Sequence, residues 1–260
     1  MQGAYDSVEG SRRWDIHARA LTDGFTWVGD PHRIVLLNPA LFQLLPDVNG
    51  KRVLDAGCGE GYLCRKLAEL GARVTGVDFS REMLAIAGEK TDTELAIQYL
   101  HGNCERMDVF GPGSFDVVVS NMVLMDLADH CAALRSIHRV LVESGILVFS
   151  ICHPCFITPG CGWIRNSEGK KLYWKVDGYF AEGACEQPVP QGAEEGLLLF
   201  HRTLSNYLRT LLKTGFELLD VIEPKPADEM LTKYPRFRDD FRMCHFIVFK
   251  ARKTRRGSIK

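Results

Sequence analysis

No run of apolar residues in this 260-residue chain approaches the roughly 20 that a membrane-spanning helix requires, so no membrane partner is expected. Charge of one sign is also lacking. The 32 Lys and Arg stand against 33 Asp and Glu, a formal net charge of -1, with an isoelectric point near 6.7. A chain so balanced has no global field to draw nucleic acid or an anionic surface. One local excess of Lys and Arg lies between Lys250 and Lys260; residues 251–260 read as a solvated, disordered tail. The opening MQGAYDSVEG has no basic or apolar stretch, so no signal peptide is expected. Nine cysteines are an odd number, scattered over a chain far larger than a disulfide-stapled domain, which predicts reduced thiols in a cytoplasmic protein. Cys152 and Cys155 form a C-x-x-C, but no second tight pair follows, so no metal site is expected.

What is present is 46% hydrophobic and 25% charged sequence, enough to bury a substantial core. A helix-compatible stretch runs from Tyr5 to about Leu21, and "IVLLNPALFQLL", interrupted by Pro39, follows the break "TDGFTWVGDP". From Arg52 the pattern becomes regular. "RVLDA", "RVTGVDF", "AIQYLHG", "SFDVVVSN" and "GILVFSIC" read as strands, and helices are expected over "EGYLCRKLAEL", over "REMLAIAGEK" behind an N-cap at Ser80, and from near Asp129 to Leu141. Alternating strands and helices at short connections mean a parallel sheet wound by right-handed crossovers. The pattern breaks between His153 and about Gly196, a segment too long for a plain connection and read as a functional insertion. "HRTLSNYLRTLLKTG" restores a helical period. "FELLDVIEPKP" and "FRMCHFIVFKA" then read as two strands joined by a short link, hence antiparallel. The organisation expected is one domain over 1–250: a helical cover (1–50), a ligand-binding core (51–152), a lid insertion (153–200), and a closing helix with a strand pair (201–250).

The chemistry starts at "VLDAGCGEGY". Its glycines, Gly57, Gly59 and Gly61, lie at the carboxyl end of the first core strand, where ligands bind in a parallel sheet. Their spacing is Gly-x-Gly-x-Gly, not the Gly-x-Gly-x-x-Gly of dinucleotide binders. A pyrophosphate at the helix N-terminus would meet like charge from Asp55 and Glu60, so a ligand with a cationic end suits the loop better. Asp78, closing the second strand, is placed to accept from both hydroxyls of a ribose. Asn103 and the backbone N–H of Cys104 are placed for an adenine edge. The implied ligand has ribose, adenine and a cationic end, and no phosphate.

"VLDAGCGEGY", "VTGVDFS", "GNCERMD", "FDVVVSNMVL" and "HRVLVESGILVFS" together resemble the successive motifs of class I S-adenosylmethionine-dependent methyltransferases, over about Lys51 to Ile151. The resemblance implies a Rossmann-like α/β fold: a seven-stranded, mostly parallel sheet with the last strand antiparallel and helices on both faces. It implies S-adenosylmethionine as cofactor and S-adenosylhomocysteine as product. By the same resemblance Asp55, Gly57 and Gly59 line the methionine moiety, Asp78 binds the ribose, Phe79 covers the adenine, and Cys58, Ser80, Met83 and Glu105 are further cofactor-binding positions. Asn103 and Cys104 read the adenine edge, and the Ser120 carbonyl faces the amino group. Asn103 stands where the family more often has aspartate; its amide offers either donors or an acceptor.

The acceptor is expected to be a small molecule. The place of the Asn/Asp-Pro-Pro-aromatic motif of adenine N-methylating enzymes reads Asn121-Met122-Val123-Leu124, and no basic groove suits a polynucleotide. "SICHPCF" and the aromatic-rich insertion resemble small-molecule methyltransferases, many of them of secondary metabolism. His153 is a candidate general base or substrate contact, His201 a second, and Arg202 a partner for a substrate carboxylate or an anchor for the insertion. Tyr5, Trp14, Trp27, Trp174 and Tyr179 are candidate aromatic cover. The competing readings are a quinone-biosynthesis or tRNA-modifying methyltransferase, a non-catalytic cofactor-binding module, and, more distantly, a dehydrogenase. Oligomeric state is not legible.

Overall fold

The computed structural model describes residues 5–26, 29–189 and 194–254; Trp27 lies outside them. Eleven strands appear among these: β1 (Arg52–Ala56), β2 (Arg73–Asp78), β3 (Gln98–His101), β4 (Phe115–Asn121), β5 (Leu141–Cys152), β6 (Gly162–Arg165), β7 (Lys171–Lys175), β8 (Gly183–Gln187), β9 (Leu197–His201), β10 (Phe216–Ile222) and β11 (Phe246–Lys253). The helices are α1 (Ser7–Thr22), α2 (Asn38–Leu44), α3 (Tyr62–Glu69), α4 (Arg81–Lys90), α5 (His130–Val140), α6 (Leu204–Lys213) and the single turn α7 (Met230–Lys233).

Seven strands form the central sheet in the order β10-β11-β5-β4-β1-β2-β3. The β1–β2, β2–β3, β1–β4 and β4–β5 pairs are parallel, and β11 is antiparallel to both β5 and β10. The expected fold class is therefore the observed one. Chain order reverses between β1 and β4, so a crevice opens beyond their carboxyl ends. Both faces of the sheet are covered, which is why the central strands are almost continuously apolar. Their alternate residues serve two cores. Val118, Leu147, Phe149 and Phe249 pack with α5 and α6, while Val117, Val119, Val148 and Val248 pack with α2 and α3.

The helix starts follow capping chemistry. Ser80 Oγ accepts from Met83 N, Asp129 Oδ1 from Ala132 N, and Thr203 Oγ1 from Asn206 N. Pro39 does not break its helix as its lack of an N–H suggests. A π-helical turn over Arg33–Leu37 precedes α2 and leaves Pro39 in its first turn, where a missing donor costs little. Three further expectations change. The insertion, for which no strands were expected, holds two antiparallel ribbons, β6–β7 and β8–β9. The link between β10 and β11 is not short: residues 223–245 hold α7 and a 3₁₀ stretch, Pro235–Phe241. And β11 runs to Lys253, taking in the first residues of the segment expected as a tail, whose residues 255–260 lie outside the description.

Phe149 and Phe249 are cross-strand partners whose rings stack 4.8 Å apart, each 1% exposed. Phe149→Ala opens a cavity at the β5–β11 seam and is expected to cost about 3–5 kcal/mol, read as a lower urea midpoint. A loss below about 1 kcal/mol would show that this reversed strand is held by other contacts.

Candidate active site

The loop after β1 is shaped by what its glycines must approach. Gly57 has φ 85°, and a Cβ on it would overlap the side chain of Val123. Only glycine lets the loop from β1 pass the segment leaving β4. The Gly57 and Cys58 N–H groups both donate to the Val77 carbonyl, at 2.8 and 3.0 Å, tying the loop to β2. Asp78, at the end of β2, then accepts from Gly59 N at 2.8 Å and from Ser80 N at 2.9 Å, one bond to each carboxylate oxygen. Burial pushes its carboxyl up to about 6, against the pull of the two N–H groups.

A cavity of about 240 Å³ opens beside this loop. Of the residues expected to bind cofactor, Gly57, Gly59, Asp78, Phe79, Met83 and Cys104 line it. The others stand behind that wall. Asp55 is buried beneath the loop, where the Cys64 thiol donates to it at 3.2 Å and burial raises its carboxyl to about 7; the Asp78 charge adds to the rise. Cys58 is buried next to Cys64, its thiol pushed up to about 11 by burial. Ser80 caps α4 and donates through Oγ to Asp15 at 2.6 Å. Ser120 Oγ donates to the Ala56 carbonyl. Asn103 closes a local turn onto Glu105 N, and Glu105 accepts from Asp129 N.

Of the expected substrate and catalytic residues that are described, only Trp14 lines the cavity. His153 is buried outside it, its Nε2–H donating to Glu223 Oε1 at 2.8 Å while Nδ1 accepts from Cys155 N. His201 donates from Nε2 to the Tyr179 carbonyl, and the Tyr179 hydroxyl accepts from Leu204 N. Trp174 belongs to the β6–β7 ribbon; it donates to the Phe156 carbonyl and packs edge-on to Trp163 and His245. That ribbon is bound to the 223–245 link, through Lys171–Asp239 and the Arg242 guanidinium over Trp163. Tyr5 is exposed, with Arg13 over its ring. Arg202 is an anchor: its buried guanidinium donates to the carbonyls of Leu124, Leu127 and Ala128 at 3.2, 2.7 and 2.8 Å.

The cavity also holds residues not singled out from the sequence: Arg33, Asn121, Met122, Met125, Asp126, Gln187 and Leu197. Met122 adopts φ 63°, rare for a side chain with a Cβ, and is held there by its N–H donating to the Ser150 carbonyl and hydroxyl. Asn121 joins β4 to β5 and α3, accepting from Ser150 Oγ at 2.5 Å and donating to the Tyr62 hydroxyl at 2.6 Å. Arg33 Nη1 and Glu60 Oε1 lie 3.6 Å apart, and neither buried atom has a hydrogen-bond partner among the described residues. The other Glu60 oxygen accepts from buried Arg65 at 2.8 Å. One signal for Asp126 was available: it is the lone charge in "VVVSNMVLMDLA", just past the carboxyl end of β4. Arg33, a cation in an apolar helical run, had none.

α1 and the second ribbon roof the cavity together. Ser11 Oγ donates to the Phe79 carbonyl, and Arg13 reaches Glu186 Oε1 at 3.0 Å and the Gly196 carbonyl at 2.9 Å. Among the described residues no group of three metal-ligating side chains converges, and no helix is long and apolar enough to cross a membrane.

A sheet reversed at one strand, a glycine loop at its switch point and an acid closing β2 define a nucleoside-binding Rossmann-like protein. Residues 54–149 match the methyltransferase domain family. The crystal structure of an S-adenosylmethionine-dependent methyltransferase from Mesorhizobium loti is 33% identical, covering 83% of this chain and 96% of that one, with a TM-score of 0.72. The N-demethylindolmycin N-methyltransferase of Streptomyces griseus is 28% identical over 210 residues, 76% of this chain and 85% of that protein. The ubiquinone biosynthesis O-methyltransferase of Pseudomonas aeruginosa is 40% identical over 101 residues, but these are only 38% of this chain and 43% of that protein. This chain belongs to the S-adenosylmethionine-dependent methyltransferases, and S-adenosylmethionine is its cofactor.

Asp55 and Asp78 hold protons in the folded protein at pH values where the unfolded chain, with carboxyls near 3.8, has released them. Their contribution to stability is therefore full below about pH 4 and is lost as pH rises through 6 and 7. The urea midpoint of the free protein is expected to fall between about pH 4 and pH 7, and Asp55→Asn to flatten the upper part of that fall. A flat wild-type profile would mean that both acids are ionised throughout.

Proposed function

We propose that this methyltransferase acts on a small molecule, transferring a methyl group to a nitrogen, oxygen or carbon nucleophile, and that the acceptor enters beside Met122 and Met125. The observation that carries the reading is a cavity with two differently equipped ends. Asp78 is a rigid acceptor for ribose hydroxyls at one. At the other, the Arg33–Glu60 ion pair, 3.6 Å apart and without a hydrogen bond between its members, offers a cation and an anion to the carboxylate and ammonium of an α-amino acid. A ligand with ribose at one end and a zwitterion at the other fits both.

In this reading Gly57 and Gly59 let the backbone lie against the ligand, and Phe79 and Met83 flank the adenine beside Cys104. Arg33 pairs with the carboxylate, and Glu60, already steadied by Arg65, takes the ammonium. Asp55, Cys58, Ser80, Asn103, Glu105 and Ser120 act from behind by fixing the loops. When bound, S-adenosylmethionine supplies a methyl carbon made electrophilic by its sulfonium. The chain's part is to hold a nucleophile about 3–3.5 Å from that carbon and to exclude water. Trp14, Leu21, Phe25 and Leu197 provide an apolar roof for this purpose. His153, His201 and Arg202 are assigned to holding the insertion in place. Reduced cysteines, all nine free, support a cytoplasmic location.

Calorimetry with S-adenosylhomocysteine is expected to show binding that Asp78→Ala weakens about tenfold or more, since a charge-assisted pair of hydrogen bonds is lost. Incubation of small-molecule extracts with methyl-labelled cofactor should place one labelled methyl on a discrete compound. No binding by folded protein would sink the site assignment, and binding without transfer would leave a cofactor-binding module.

A further inference from the structure

Asp126 is the cavity's one acid without an assigned partner. Both Asp78 oxygens are engaged by backbone N–H groups, and Glu60 is held by Arg65 and faced by Arg33. The half-buried Asp126 carboxylate has no hydrogen-bond partner among the described residues, although it lines the cavity between Met125 and Leu127. Burial raises its carboxyl well above the ordinary range, and the Asp78 charge adds to this. A carboxylate kept in such surroundings costs stability, so it is expected to have a use beyond the fold.

Its mounting is more rigid than its own side chain requires. Arg202 grips the carbonyls on both sides of it, at Leu124, Leu127 and Ala128. Phe200 N donates to the Met125 carbonyl, and Asp126 N donates to the Val123 carbonyl at 2.8 Å. The left-handed turn at Met122 sets the direction of the whole segment. Four constraints from three elements thus aim a carboxylate into an apolar part of the cavity, walled by Met122, Met125, Leu127, Leu197 and Trp14. No His or Lys lines the cavity among the described residues. Its thiols, Cys104 and Cys152, are raised by burial, Cys152 to about 12, and so are poorly ionised.

Resting on the cofactor reading above, we propose that Asp126 is the catalytic residue that receives the acceptor: its carboxylate accepts a hydrogen bond from the N–H or O–H group to be methylated and takes that proton. As the nucleophile's lone pair forms the bond to the methyl carbon, the electron pair of the broken S–C bond stays on sulfur, and the proton passes to an Asp126 oxygen. The acceptor class follows from the walls and the charge. It is a largely apolar molecule with an N–H or O–H nucleophile and no negative charge near it, because Asp78, Glu60 and Asp126 would repel an anion and Arg33 is occupied with the amino-acid end.

The test uses sinefungin, an adenosyl amino acid with a protonated amine on carbon where S-adenosylmethionine has its methyl sulfonium. That amine occupies the place of the transferring group and can donate to Asp126, whereas the thioether of S-adenosylhomocysteine cannot. Wild type is expected to prefer sinefungin over S-adenosylhomocysteine by about tenfold or more, and Asp126→Asn by less than threefold. The pH dependence supplies a second reading. The preference should grow as rising pH ionises Asp126; Asp55 and Asp78, which are also raised, add a trend of the same sign through the extra charge of sinefungin, while Glu60 and Arg33 face the cavity in both proteins, so the comparison is of wild type with Asp126→Asn, whose rise should be the smaller. A preference that is unchanged in the variant, with the same pH trend in both proteins, overturns the proposal, while wild type that binds neither ligand overturns the cofactor reading instead. In labelled transfer to extracts sorted by ion exchange, the product should leave with the neutral or cationic fraction; a labelled anionic product overturns the acceptor class.

Discussion

The carboxylate of Asp78 is the point from which the cavity is built. It ends β2, receives one N–H from the glycine loop and another from the start of α4, and so fixes three elements at the carboxyl edge of the sheet. Two hydrogen bonds to an ionised acceptor are strong, yet burial has raised its pKa to about 6 all the same. The loop is thus pre-organised around a group that still favours a further donor. A ribose supplies two hydroxyls of the right kind. Gly57 serves the same geometry sterically, because the loop reaches Asp78 only by passing against Val123.

The acids around the cavity make it an expensive place to fold. Asp55, Asp78 and Asp126 are all raised by burial, and Arg33 is the only Lys or Arg in the lining among the described residues. Such an arrangement favours a cationic ligand twice over, by direct attraction and by relief of repulsion among the carboxylates. Stability and cofactor affinity are therefore expected to respond to pH in opposite senses. Raising the pH ionises these acids, which should weaken the fold and strengthen its hold on a sulfonium.

Segment 153–200 has two separate duties. Its first ribbon fastens to the link between β10 and β11, through Lys171, Trp163 and Trp174. The second, with the residues after it, reaches the cavity through Gln187 and Leu197, is bolted to α1 by Arg13, and ends in Arg202, whose guanidinium grips the chain leaving β4. The histidines that looked catalytic from their positions sit within this scaffolding. His153 and His201 each satisfy neighbouring polar groups, and neither lines the cavity.

The sequence by itself determined the sheet, the switch point and the methyl donor. Strand alternation, caps at Ser80, Asp129 and Thr203, and glycine spacing are local properties, and local sterics and hydrogen bonding decide them. The same locality placed Gly57, Gly59, Asp78, Phe79, Met83 and Cys104 at the cavity wall, because each lies within a few residues of a strand end. Tertiary structure decided the rest. Whether Asp55 faces a ligand or the floor, whether Arg202 binds substrate or backbone, and whether Arg33 meets Glu60 all depend on contacts between residues far apart in the chain. The two ribbons were illegible because their strands span only four or five residues, and β9, apolar from Leu197 to Phe200, shows no alternation. Asp126 shows the division most clearly: its isolation as a charge was visible in the sequence, but its lack of a hydrogen-bond partner among the described residues and its fixed aim are products of packing from β5, β9 and the residues around them.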